Sequence, residues 1–175
     1  RMKYIKYLLS IVFLLTSSLS NADETKTDKI HQLLYGMYEL ETWVDEELIY
    51  KYPDVAGTLV VSKGKIAFTL DNSINNKKTV KVIGWGTNIL EADKFSYKYN
   101  EFKVLIIQDD NKTVNSKLPW EGNRIYDLEL KGEELLLSAN NGSQTWLLNK
   151  DNLIYTDTEW GLDKKYAQRV WRRIK

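Results

Sequence analysis

From Gly36 onward, apolar and polar side chains alternate with a period of two, the spacing of strands that bury one face. Tyr38, Leu40 and Trp43 open the first such segment. Gly57 to Ser62 and Lys65 to Leu70 flank Lys63-Gly64, which predicts a hairpin with glycine in its turn. Asp71 to Lys78 is polar and rich in asparagine and lysine, so it reads as a loop. Thr79 to Thr87 resumes strand character, and the glycines on either side of Trp85 point to a bulge or sharp bend. Lys94 to Asn100 alternates cleanly, with Phe95, Tyr97 and Tyr99 on one side; Lys103 to Ile107 reads as a further strand. Later strands are expected at Arg124 to Leu130, Glu134 to Ser138, Thr145 to Leu148 and Leu153 to Thr158. In the closing segment, Ala167 to Ile174, alternation puts Arg169, Trp171 and Arg173 on one face and Val170, Arg172 and Ile174 on the other.

Ahead of these strands the period differs. Ile30, Leu33 and Leu34 recur at helical spacing, and Thr27 or Asp28 is placed to cap a short helix over Glu24 to Leu34. No later stretch is long enough for the helix of a βαβ crossover. Roughly eight to ten short strands, separated by turn chemistry, predict an all-β fold: an antiparallel β-barrel with a short N-terminal helix, or alternatively a β-sandwich.

The first 22 residues follow a different logic. Met2-Lys3-Tyr4-Ile5-Lys6 is a basic start, Tyr7 to Leu15 is an apolar run, and Ser20-Asn21-Ala22 places small residues where a signal peptidase reads them. The apolar run is too short to cross a bilayer of roughly 30 Å as a helix. Residues 1–22 are therefore expected to be a cleaved signal peptide, giving a periplasmic or secreted protein with no stable membrane insertion afterwards. Residues 23–175 would form the exported domain.

That division changes the charge. Without Arg1, Lys3 and Lys6, the 25 basic residues fall to 22 against 24 acidic ones. A nearly neutral domain has no long-range field to gather nucleic acid, so no nucleic-acid partner is expected. There is no cysteine, which excludes thiolate metal sites, thiol catalysis and lipid acylation of a cysteine. His31 is the sole histidine and falls on the predicted helix, where a solvated role suits it. Multi-histidine metal sites are excluded, and no cofactor or metal is expected.

Four segments carry a likeness. Gly36 to Trp43 resembles the opening glycine-x-tryptophan strand of bacterial lipocalin-like domains of the calycin superfamily, with Tyr38 where tryptophan is usual. Gly57 to Leu70 is similar to their first hairpin, and Gly84-Trp85-Gly86-Thr87 with Phe95-Ser96-Tyr97 is similar to their mid-barrel stretch. Pro119-Trp120-Glu121-Gly122, Leu128 to Leu137 and Trp171-Arg172-Arg173 look like the late strands and the closing tryptophan-arginine. The resemblance implies a barrel that binds a small hydrophobic or amphipathic molecule. It also implies that an arginine from the last strand (Arg169, Arg172 or Arg173) packs over Tyr38 as a structural cation–π contact.

Six tryptophans, eleven tyrosines and four phenylalanines are the strongest compositional signal. Phe95, Tyr97 and Tyr99 would stack along one strand, with Phe68, Trp85, Tyr126 and Trp146 joining them inside. Those seven are the candidate ligand-binding residues, an apolar lining with hydroxyl and indole handles. The bland reading is that the rings merely fill the interior. Carboxylates give weaker candidates: Glu39 with Glu41, Asp71, and Glu91 with Asp93 read as solvated charges rather than an acid–base pair. Asp109-Asp110-Asn111 reads as a polar turn. No catalytic residue emerges. The alternative function is an envelope interaction module or inhibitor, with a protein partner anchored by exposed Trp43, Trp120 or Trp160.

Overall fold

A computed structural model describes residues 26–75, 77–160 and 164–175. The expected signal segment lies outside the described residues. The chain divides by packing into residues 1–32 and a unit spanning Leu33–Lys175. Residues 26–34 are helical, so the predicted helix is present over its described part. No helix among the described residues is long and apolar enough to cross a membrane.

The second unit is a closed antiparallel barrel of ten strands. Its wall runs β1 (Gly36–Asp45), β3 (Val55–Ser62), β4 (Lys65–Asn75), β5 (Lys78–Leu90) and β6 (Lys94–Gln108). It continues through β8 (Arg124–Lys131), β9 (Glu134–Ala139), β10 (Gln144–Leu148), β11 (Asn152–Trp160) and β12 (Lys165–Arg173). Pairing of β12 with β1, from Tyr38 opposite Arg173 to Asp45 opposite Ala167, closes the ring. Two short strands lie off the wall: β2 (Leu48–Tyr50) pairs with the far part of β1, and β7 (Asn111–Asn115) with the far part of β6. Closure removes the sheet edges that an open sandwich would expose.

Alternation explains which side chains enter. On β9, Leu135, Leu137 and Ala139 are buried while Glu134 is exposed; on β10, Gln144, Trp146 and Leu148 are buried. The inward face of β12 is Ala167, Arg169 and Trp171, in the phase the sequence pattern gives. One part of the interior is packed solid: Tyr38, Phe95, Tyr126, Leu135, Leu137 and Leu148 are fully buried.

Register shifts interrupt that phase in four pairings: β1 with β12, β4 with β5, β5 with β6, and β11 with β12. On β1, Leu40 opposes Trp171 and Thr42 opposes Val170, so Glu41 is the extra residue. Beyond it Trp43 comes opposite Arg169. On β6, Tyr99 opposes Gly86 and Glu101 opposes Trp85, which leaves Asn100 over. The segments expected as two strands, Lys94 to Asn100 and Lys103 to Ile107, are one continuous strand bent at that bulge. The expected loop Asp71 to Lys78 is also largely strand. Its polar residues extend the β4–β5 ladder, where Asp71 opposes Lys81 and pairs with it at 2.7 Å.

Candidate functional site

Above the solid layer, the barrel holds a part-open cavity of about 330 Å³ whose walls are almost wholly apolar. Leu59, Ile66, Phe68, Leu70 and Val82 line one side, from β3, β4 and β5. Tyr97, Tyr99 and Phe102 descend from β6, facing Trp146, Leu153, Tyr155 and Trp171 from β10 to β12. β6 pairs with β8 only over Lys94 to Tyr97, then with β7 over Val104 to Gln108. The loop between β7 and β8 carries Pro119 and Trp120, which also line the cavity. The Trp120 ring sits 5.0 Å from Tyr99 and 5.5 Å from Tyr97, centroid to centroid.

Four of the seven expected residues line this cavity: Phe68, Tyr97, Tyr99 and Trp146. Phe95 and Tyr126 are buried beneath it. Phe95 packs 6.0 Å from Trp146, and the Tyr126 ring stacks at 6.0 Å and 13° on Tyr97. These two support the lining rather than form it.

Trp85 is a correction. It is 45 % exposed and points out of the barrel, because Gly84 and Gly86 hold the inward positions on either side. A Cβ on Gly84 would stand 2.5 Å from the Phe68 ring, and one on Gly86 would run into the Lys98 carbonyl. The glycines are there to admit neighbours, and Trp85 between them must face solvent.

Several lining residues escaped the sequence reading. Phe102 comes inward only because of the Asn100 bulge. Arg169 is 9 % exposed, and its guanidinium carbon lies 4.1 Å from the Trp43 ring centroid, 4.3 Å from Trp160 and 5.3 Å from Tyr155. The alternation of β12 placed Arg169 on the Trp171 face, but only the β1 and β11 register shows which rings surround it.

Beside Arg169 runs a buried polar chain. Arg124 Nη1 donates to Gln144 Oε1 at 3.1 Å, and its guanidinium lies 3.9 Å from the Trp120 ring. Gln144 Nε2 donates to Asp157 Oδ2 at 2.7 Å; the Tyr155 hydroxyl donates to the same oxygen at 3.1 Å. The backbone N–H of Glu159 donates to Asp157 Oδ1 at 2.8 Å. Burial raises the phenol pKa values of Tyr97, Tyr99, Tyr126 and Tyr155, so these groups stay neutral. Burial also lowers that of Arg169, opposed by Tyr155 and Asp157, yet a guanidinium remains a cation.

The carboxylates weighed for acid–base chemistry do not converge. Glu39 pairs with Arg172 at 3.0 Å on the outer wall, Asp71 with Lys81, and Glu91 and Asp93 are exposed. Asp109 and Asp110 take positive φ in the turn between β6 and β7. Among the described residues no group of three histidines or acids could hold a metal.

Set against known proteins, the chain matches no family model, no curated protein and no solved structure.

Proposed function

We propose that this chain is an exported, calycin-type barrel that binds a small molecule with an apolar body inside its cavity and releases it unchanged. The observation that carries this reading is the 330 Å³ cavity itself, walled by aromatic and aliphatic side chains. That volume lies at the lower end of roughly 300–1,000 Å³ for small-molecule sites, and an apolar wall with few polar groups suits an amphipathic ligand. The expected signal segment supports a periplasmic or secreted setting.

A surface-acting interaction module is less well supported. Trp43, Trp120 and Trp160, its expected anchors, all border the cavity, and of the three Trp160 is also exposed. Titration with a dansylated undecanoic acid, followed by probe emission and tryptophan quenching, tests the proposal. Saturable binding at one site per chain, displaced by unlabelled undecanoic acid, is expected. Absence of displaceable binding would remove the cavity reading.

A further inference from the structure

We infer that the cavity's ligand carries an oxyanion, in the first instance a carboxylate, and that Arg169 receives it. The inference rests on the cavity reading and adds the ligand's charge and the residue that selects it.

Burying a cation is costly unless something answers the charge. No described acid forms an ion pair with Arg169, and its Nε is buried without a hydrogen-bond partner. The rings of Trp43, Trp160 and Tyr155 answer part of the charge through their faces. An aromatic cage of this kind would ordinarily suit a cationic ligand, but here the guanidinium already occupies it.

The charge count points the same way. Two guanidiniums, Arg124 and Arg169, line the cavity, while the buried carboxylate beside them is Asp157. Both Asp157 oxygens are already engaged, by Gln144, Tyr155 and the Glu159 backbone. The interior therefore holds an excess of positive charge.

Hydrogen-bond bookkeeping agrees. Among the described residues, the buried side-chain polar atoms without partners on the cavity lining are Trp120 Nε1, Trp146 Nε1 and Arg169 Nε. All three are donors. A shortage made up entirely of acceptors is met by an acceptor-only group, which a carboxylate is. The apolar lining contributed by β3 to β5, Leu59, Ile66, Leu70 and Val82, would take the rest of the molecule.

The test compares dansylated undecanoic acid with its methyl ester on the full chain. The acid should bind wild type about tenfold or more tighter than the ester, the margin of a charge-assisted hydrogen bond. Arg169→Met should reduce the acid-over-ester preference from about tenfold or more to about one, the ratio being read whatever the ester's own affinity becomes. If Arg169→Met does not fold, Arg169→Lys, which keeps a cation without the planar fork, should lose part of the preference. Equal affinities for acid and ester in wild type would overturn the anion receptor and leave the cavity standing. A preference for the acid that survives unchanged in either Arg169 variant would overturn the assignment to Arg169. Binding of neither probe would overturn both readings.

Discussion

The guanidinium of Arg173 covers the ring of Tyr38 at 4.8 Å from its centroid and donates from Nη2 to the Tyr38 hydroxyl at 2.6 Å. The same nitrogen donates to the Leu33 carbonyl, and Nη1 donates to the Tyr35 carbonyl at 2.7 Å. The Tyr38 hydroxyl in turn donates to Leu33 at 3.1 Å. One side chain from the last strand thus satisfies three acceptors between the end of the helix and the start of the first strand. Arg173→Met should cost about 3 kcal/mol, because it strands several of these at once, and Tyr38→Phe about 1 kcal/mol. Urea unfolding followed by circular dichroism measures both. A loss from Arg173→Met no larger than that from Tyr38→Phe would show that the network does not brace the barrel.

The alkaline limit follows from the buried phenols. Burial pushes the Tyr38 pKa up to about 12 against Arg173, which pulls the other way. Burial also raises Tyr97, Tyr99, Tyr126 and Tyr155. A phenol that ionises near 10.0 when unfolded and near 12 when folded leaves the unfolded chain with fewer protons between those values. Stability therefore falls as pH rises through that window, and the contribution is fully present below it. The phenolate absorbance of these five residues should appear together with loss of structure. Its appearance in a chain that still shows native circular dichroism would contradict their burial.

Asn88 locks the β3–β4 turn from the neighbouring strand. It is 5 % exposed, and its Nδ2 donates to the carbonyls of Ser62 at 2.9 Å and Lys65 at 2.6 Å. Its Oδ1 accepts the Gly64 N–H at 3.2 Å. Asn88→Ala should cost about 2 kcal/mol through buried groups left unpaired. Asn88→Asp should cost more, since it turns a carboxylate oxygen toward two carbonyl oxygens. Thermal melts of the two variants give the order, and an aspartate variant as stable as the alanine one would refute the assignment of Nδ2.

Much of this was legible in one dimension. Alternation from Gly36 gave strands because the barrel buries one face throughout, and the phase of β12 put Arg169 and Arg173 on its inner side together. Arg172, expected alongside them as a partner for Tyr38, lies outside with Glu39 instead. What alternation could not give was the residue count at a bulge. Glu41 and Asn100 each insert one position, and with it Trp43 and Phe102 change side; nothing local distinguishes such residues from ordinary polar ones. Trp85 misled for the opposite reason: an aromatic between glycines looks like an interior ring, yet the missing side chains mark the interior. The partners of Arg169 come from β1 and β11, distant in sequence, so only register brings them together.

Gly84 and Gly86 should respond differently to the same substitution. A Cβ at Gly84 meets the Phe68 ring at 2.5 Å and the Phe102 ring at 3.2 Å, both of which line the cavity. Rings can shift into open space, so Gly84→Ala should cost only about 1 kcal/mol of stability, at the mild end of overpacking. The displaced Phe68 would take up cavity volume, so dansylated undecanoic acid should bind several-fold more weakly. At Gly86 the obstacles are the Lys98 carbonyl and the Tyr99 Cα, backbone atoms at the β5–β6 bulge that have nowhere to go. Gly86→Ala should therefore cost about 3 kcal/mol or more, through distortion of the ladder itself. Paired urea titrations and probe titrations separate the two effects. Equal destabilisation by both variants would refute the contrast between a yielding ring and a fixed backbone, and unchanged probe affinity in Gly84→Ala would show that the ligand does not use the space beside Phe68.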